Sequence, residues 1–305
     1  GPAAKRECVH KLVEQRQMSV RRACKLIKLS GSVLRYLHRR QLDHATMDRL
    51  RALATKHPRW GMRKMHAKLR MEGLLINRKR TRRLYRILGL HLRRKMKHRL
   101  PARVKEPMVL PIAPNITWSM DFMHDTLANG RKYRTFNIID DHNREALDIT
   151  VDTSISSHRV VRQLEQLVQW RGKPERIRVD NGPEFIAQAL ELWCKERGIE
   201  LHFIRKGKPT ENGLIERFNR TYREEVLDAN LFETLQQVRA ETNRWIWEYN
   251  NERPHESLGN IPPRAFLLKR GQLPNAQIHA ADLPTFQQDD HNTTNDSISF
   301  TKDRA

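Results

Sequence analysis

The sequence predicts an α/β fold: a mixed five-stranded sheet with flanking helices, preceded by all-α basic units of helix-turn-helix type. Three observations carry this. Downstream of residue 116 the apolar patterns follow the order β-β-β-α-β-α-β-α. Upstream, short helical patterns are separated by glycine-bearing turns. The charge is also unevenly divided. Of the net +23, residues 1–110 hold 32 Lys+Arg against 6 Asp+Glu, whereas the other 195 hold 26 against 29. A polycation joined to a nearly neutral domain points to nucleic acid as the partner.

A chain of 305 residues buries a sizeable core and divides into two or three domains. The expected segments are a helix-turn-helix-like unit (3–45), a second basic helical unit (46–100), a Pro-rich linker (101–115), an α/β domain with C-terminal helices (116–270) and a polar tail (271–305). No apolar run reaches the roughly 18 residues of a membrane span. No charged-then-apolar leader opens the chain, so a cytoplasmic location is expected. Cys8, Cys24 and Cys194 lack Cys-x-x-Cys pairing and read as reduced, mostly buried cysteines.

Within residues 5–40 three short helices are expected. The second, over 20–27, has Ser19 as its N-cap, Leu29-Ser30-Gly31 turns the chain, and residues 32–40 form the third. In a helix-turn-helix the later helix reads a major groove, which makes Arg35, Arg39 and Arg40 candidate DNA contacts. The next unit, from residue 57 to 97, has an amphipathic helix over 62–72 with Met65 and Leu69 inward. Gly73 ends it, Asn77 caps the following helix, and Gly89 terminates that one. This last helix carries Arg78, Lys79, Arg80, Arg82, Arg83 and Arg86. Six charges cannot share a core face, so they mark a surface that tracks phosphates and binds with steep salt dependence.

Four prolines between 100 and 115 mark the linker. The first strand spans 116–123, with Trp118, Met120 and Phe122 alternating against Ser119, Asp121 and Met123. Strands over 133–139 and 146–151 form a hairpin pair around Asp140-Asp-His-Asn-Arg144. A helix over 157–170 places Val160, Val161, Leu164, Leu167 and Val168 on one side. A strand over 176–180, a helix over 184–197, a strand over 199–204 and a helix over 211–227 follow. Beyond these, Leu235, Val238 and Thr242 begin a stripe that Trp245, Ile246 and Tyr249 extend, which suits core better than base stacking. From about residue 274 the chain turns polar and acidic, the composition of a disordered tail.

Three carboxylates stand out. Asp121 lies in the first strand, Asp180 ends the fourth, and Glu216 lies on the last of these helices, with 35 residues between Asp180 and Glu216. Acids from two strand ends and one helix could meet at one point, where hard oxygen ligands suit Mg²⁺. Asn212, Asn219, Arg220 and Arg223 share the Glu216 face of the helix. Neighbouring acids have blander readings: Asp140 and Asp141 suit a hairpin turn, and Glu211 suits a helix start. His255 either touches DNA or shapes a turn with Pro254.

Trp118-Ser-Met-Asp121, Asp180-Asn-Gly-Pro-Glu-Phe185 and Lys208-Pro-Thr-Glu-Asn-Gly-Leu-Ile-Glu-Arg-Phe218 resemble the catalytic core of the retroviral-integrase superfamily. The resemblance is closer to transposases of bacterial insertion sequences, in the two-reading-frame, circle-forming family. Met65-His-Ala-Lys-Leu69, Arg82-Arg-Leu-Tyr-Arg-Ile-Leu-Gly-Leu90 and Tyr249-Asn-Asn-Glu-Arg-Pro-His-Glu-Ser-Leu258 resemble that family's second frame. Together these motifs cover roughly residues 45–270. The sequence departs from the family in one respect: no sustained heptad run precedes residue 45, where the family has a leucine zipper. The Cys and His spacing near the start also lacks the zinc module of retroviral integrases.

The resemblance implies an RNase H-like fold and a DDE-type polynucleotidyl transferase, with Asp121, Asp180 and Glu216 as catalytic metal ligands. It implies two Mg²⁺ ions, replaceable by Mn²⁺, bridged by Asp121. It implies double-stranded DNA as partner, both element terminal repeats and target, and a homodimer or higher oligomer pairing the ends at the bacterial nucleoid. Arg223 matches a basic family position near the cleavage point. Other readings are a retroviral-type or phage-like integrase, a non-catalytic regulator derived from a transposase, and a tyrosine recombinase using Tyr222 beside Arg220 and Arg223.

Overall fold

The period of the apolar residues changes from helical to strand-like near residue 116, and the structure changes with it. The computed structural model describes residues 1–35, 44–92, 110–182, 184–186, 188–205 and 212–272. The first 35 residues form α1 (Pro2–Arg16), α2 (Val20–Ile27) and α3 (Gly31–Leu34), closed around Val9, Ala23 and Cys24. Ser19 caps α2 as expected, its hydroxyl accepting from the Arg22 amide, and Ser30 caps α3 in the same way from Val33. The turn falls earlier than expected. Lys28 takes the left-handed conformation (φ 51°), and Gly31 opens α3 instead of turning the chain. Of the helix expected over 32–40, α3 covers the start, with Arg35 as its C-cap folding Nε back onto the Gly31 carbonyl. Residues 36–40, Arg39 and Arg40 among them, lie outside the described residues.

A second helical unit contains α4 (His44–Lys56), α5 (Met62–Met71) and α6 (Arg78–Ile87). The sequence pattern did not single out α4, yet its Leu50 and Leu53 are fully enclosed. They pack with Trp60, Met65, Leu69, Leu84 and Tyr85. Gly73 (φ 85°) and Gly89 (φ 65°) follow α5 and α6, where only a residue tolerant of positive φ reverses the chain cheaply. Asn77 caps α6, its Oδ1 accepting from the Lys79 amide at 2.9 Å. Thr81, Leu84 and Tyr85 face inward, and Arg78, Lys79, Arg80, Arg82, Arg83 and Arg86 are all exposed.

The third unit is the sheet. Its strands are β1 (Thr117–Thr126), β2 (Lys132–Asp140), β3 (Ala146–Asp152), β4 (Arg176–Val179) and β5 (Glu200–Phe203), in the order β3-β2-β1-β4-β5. β1, β2 and β3 pair antiparallel; β4 pairs parallel with both β1 and β5. This is the mixed, RNase H-like sheet that was expected. One face carries Trp118, Met120, Phe136 and Ile138 against α7 (Ser157–Arg171) and α8 (Gln188–Arg197). The other carries Met123, Tyr133, Ile139 and Ile149 against α9 (Gly213–Tyr222) and α10 (Leu235–Asn251).

Two expected helices differ in extent. α8 begins at Gln188 and not at 184, because Phe185 is buried in the core and Glu184 is ion-paired with Arg134 at 2.5 Å. The helix expected unbroken over 211–227 is α9 followed by a π-turn, Arg223–Leu227. Thr234 and Gln237 form a capping box on α10, and α11 (Pro263–Arg270) packs against it.

The second helical unit meets the α/β unit along a polar seam. Lys56 reaches Glu248 (2.9 Å), Lys68 reaches Glu252 (3.1 Å), Lys64 reaches Glu225 (3.4 Å) and Arg63 reaches Glu256 (2.7 Å). Among the described residues, the apolar cluster of the helical unit shares no member with the two clusters of the sheet.

Candidate active site

Strand register brings the first two carboxylates together. Ser119 on β1 is level with Arg178 on β4, so two residues further along parallel strands place Asp121 beside Asp180. Adjacent strands are about 4.8 Å apart. Alternation then decides the face. Trp118, Met120 and Phe122 enter the core under α7 and α8, which turns Asp121 toward α9.

Two hydrogen bonds fix the Asp121 carboxylate. Oδ1 accepts from the Phe122 amide at 2.8 Å, and Oδ2 accepts from Asn219 Nδ2 at 2.7 Å. Asn219 is itself oriented, since its Oδ1 accepts from Asn137 Nδ2 at 2.7 Å. Asn137 pairs directly opposite Asp121 across β1 and β2, so the three side chains form a relay that runs from sheet to helix and back to the sheet. Asn137 was not singled out from the sequence, because a polar residue in an alternating strand carries no mark of its partner.

The carboxyl of Asp121 is pushed up to about 6. Burial is the main cause, and the charges of Asp180 and Glu216 add to it. The Phe122 and Asn219 hydrogen bonds work in the opposite direction. All three acids singled out from the sequence therefore act on one locus. The donor chemistry fits a hard divalent cation: oxygen-only ligands, with one carboxyl whose ionisation is disfavoured by its own neighbours. The acids are not gathered into a closed cage. Among the described residues no group of three or more His, Cys, Asp or Glu stands ready to hold an ion.

The remaining candidates occupy different places. Glu216 and Arg220 are exposed on α9. Arg223 donates Nη2 to the His124 carbonyl (2.8 Å) and pairs with Asp125 (3.3 Å). Asn212 is buried just before α9, its Oδ1 without a partner among the described residues, and Asn219 is committed to Asp121. Asp140 accepts from the amides of Asn115 and His142, both at 2.8 Å, bracing the hairpin. Asp141 accepts from the Ser119 hydroxyl (2.7 Å) and pairs with Arg178 (2.6 Å). His255 is buried in a turn, its amide donating to the Ile261 carbonyl. The Tyr222 phenol is fully buried and bonded to the Thr242 hydroxyl at 2.6 Å; burial raises it well above the ordinary tyrosine range.

Residues 111–209 and 197–263 match family models described as integrase core domain, and residues 41–98 match an HTH-like domain. The chain is 41% identical over 271 residues to a protein of insertion element IS407 from Burkholderia multivorans, covering 88% of this chain and 98% of that one. It is 24% identical to a transposase for insertion sequence element IS904 from Lactococcus lactis, over 72% of this chain and 92% of that protein. The catalytic core domain of HTLV-2 integrase, solved in complex with magnesium, is 23% identical with a TM-score of 0.39, over 49% of this chain and 95% of that one. No described helix is long and apolar enough to cross a membrane. With two integrase-core matches, an HTH-like match and a full-length insertion-element relative, the chain belongs to the insertion-sequence transposases of integrase-core type.

Proposed function

We propose that this transposase binds and pairs the ends of its element, nicks DNA to expose a 3′-OH, and joins that end to a second phosphodiester. The observation that supports it most is the electrostatic coupling of Asp180 and Glu216 to a half-buried Asp121 whose carboxylate is already oriented by Asn219. Asp121, Asp180 and Glu216 are the residues that would hold two Mg²⁺ ions, or Mn²⁺ in their place. Bound there, the metal pair would supply charge neutralisation at the scissile phosphate and acidify the attacking hydroxyl.

The chain's own residues do the rest. Phe122 and Asn219 hold the Asp121 carboxylate in one orientation and so lower the reorganisation required at the reacting phosphate. Arg220, exposed one turn beyond Glu216, is positioned to meet a DNA strand. Arg223 would contact DNA by exchanging Asp125 for a phosphate or terminal base. The six exposed basic residues of α6 track the backbone, as Arg35, Arg39 and Arg40 would in the first unit. We divide the work at residues 3–45 and 46–100 for DNA binding and 116–270 for chemistry, with at least a homodimer at the paired ends, in the cytoplasm at the nucleoid. A buried, hydrogen-bonded Tyr222 speaks against a covalent phosphotyrosine. Each step is therefore a direct in-line displacement. The second phosphodiester is first the element's other end, which yields a circle that is later inserted.

Asp121→Asn, Asp180→Asn and Glu216→Gln should each abolish Mg²⁺-dependent nicking and joining while leaving duplex binding intact. Strong strand transfer by any one of them would sink the assignment. A chiral phosphorothioate should invert once per step. Retention would establish a covalent intermediate and defeat the reading.

A further inference from the structure

A cleft of about 500 Å³ opens where α5 and the start of α6 meet the turn that follows α10. Arg63, His66 and Arg70 line it from one face of α5, at spacings of three and seven residues. Arg78, the first residue of α6, closes one end; Glu256 and the residues 259–261 form the opposite wall. That wall is fixed: Gly259 and Asn260 both take left-handed conformations, and His255 bridges to Ile261 behind them.

The charges in this cleft do not cancel. Glu256 is the one carboxylate on its lining, and it is occupied by Arg63 at 2.7 Å. Arg70 and Arg78 are exposed, and their guanidinium groups have no hydrogen-bond or ion-pair partner among the described residues. His66 sits between them with Nδ1 bonded to the Thr81 hydroxyl at 2.9 Å, which leaves Nε2 as its free polar atom. Its protonation is held below the ordinary histidine range by burial and then by the positive charges of Arg70 and Arg78. Two unpaired guanidinium groups beside an imidazole, in a concave site of ligand size, form a ready receptor for an oxyanion.

We infer that this cleft is a phosphate-binding site that takes a backbone phosphodiester of duplex DNA as the strand passes from α6 to the catalytic unit. Arg78 belongs to both the exposed basic face of α6 and the cleft, so the phosphate track continues into the seam without a break. One wall comes from the helical unit and the other from the α/β unit. A phosphate held there ties DNA binding to the relative placement of the two units. Guanidinium forks match phosphate oxygens bidentately, which favours arginine at these positions over the lysines used elsewhere along the seam. Glu256 acts as a competitor that occupies Arg63 until a phosphate displaces it. This inference rests on the DNA-transposase reading.

The test uses the full chain and measures duplex affinity against salt. Arg70→Gln/Arg78→Gln should lower the slope of log K against log[salt] by about one, because losing the one phosphate held in the cleft removes about 0.9. Glu256→Gln should act in the opposite direction, tightening binding several-fold with the slope near the wild-type value, because Arg63 no longer has to be released from a carboxylate. Gain of binding cannot come from misfolding, so the two arms together guard against a merely damaged protein. Wild-type binding that falls with salt, with the slope unchanged in Arg70→Gln/Arg78→Gln and the affinity unchanged in Glu256→Gln, overturns the cleft and leaves the transposase reading standing. Saturable inorganic phosphate binding that is lost in Arg70→Gln/Arg78→Gln, with duplex slopes unchanged, would assign the cleft to free phosphate and also overturn the inference. A wild-type chain that neither binds duplex nor nicks it with Mg²⁺ removes the transposase reading, and this inference falls with it.

Discussion

Removing the charge of Glu225 should destabilise the α/β unit more than any exposed acid does. Glu225 sits in the π-turn after α9 and accepts Arg253 Nε and Nη2 at 3.0–3.2 Å, Trp245 Nε1 at 3.2 Å and Lys64 Nζ at 3.4 Å. Its side chain is 11% exposed and that of Arg253 is 8%. Burial works against its ionisation, but Arg253, Lys64 and Trp245 outweigh it and hold the carboxyl below the ordinary glutamate range. Glu225→Gln leaves a guanidinium buried without a counter-charge, which costs about 3–5 kcal/mol. Gln retains an acceptor for Trp245, so the lower end, about 3 kcal/mol, applies. That is a large part of the 5–15 kcal/mol typical of a domain and lowers the midpoint by roughly 6–12 °C. Urea unfolding followed by circular dichroism and tryptophan fluorescence reads it directly. Glu224→Gln, one residue away and exposed, should stay within about 0.5 kcal/mol. Glu225→Met/Arg253→Met should recover most of the loss, because neither charge is then stranded. A Glu225→Gln variant within about 1 kcal/mol of wild type would refute the reasoning, showing Arg253 to be solvated.

Three further outcomes follow from the same structure. Asn219→Ala should reduce nicking and shift its pH profile upward from the Asp121 value of about 6, since the lost hydrogen bond favoured the ionised form; an unmoved profile would deny Asn219 its positioning role. Lys64 is lowered from 10.5 to about 8, first by burial and then by Arg253. The unfolded chain therefore binds the extra proton between those values, so stability rises with pH across that window. Lys64→Met should flatten that rise, and an unchanged rise would exclude Lys64 as its source. A thiol reagent should label Cys8 alone in the native chain, because Cys24 and Cys194 are buried and burial pushes Cys194 up to about 11; rapid labelling of all three would contradict the packing.

The strands were legible because β1 to β5 bury alternate residues against two helical layers, and that requirement writes itself into the period of Trp118, Met120 and Phe122. The Asp121–Asp180 juxtaposition was accessible for the same reason, since Asp121 lies within one apolar alternation and Asp180 ends another. The start of α8 was not. Glu184 and Phe185 suit a helix locally, and Arg134 and the distant core help hold them in a turn. Nor was the π-turn, where the pull of Arg253 and Trp245 on Glu225 works over 28 and 20 residues. α4 escaped because its two core leucines, Leu50 and Leu53, sit among charged and small residues that show no clear stripe until Trp60 and Leu84 close over them. The Asn137–Asn219–Asp121 relay spans 82 and 98 residues, so no local pattern announces it.

The polar seam makes ionic strength a variable of shape as well as of affinity. Lys56, Lys64, Lys68 and Arg63 are bound to glutamates of the α/β unit by the same Coulomb attraction that draws arginines to phosphate. Counter-ions at high salt weaken the exposed contacts of both kinds together. A DNA backbone arriving at low salt is then a rival anion for cations that are already engaged. Part of the N-terminal positive charge therefore serves as an internal fastening, and under the proposed function an element end would have to be won in exchange with glutamates of the same chain.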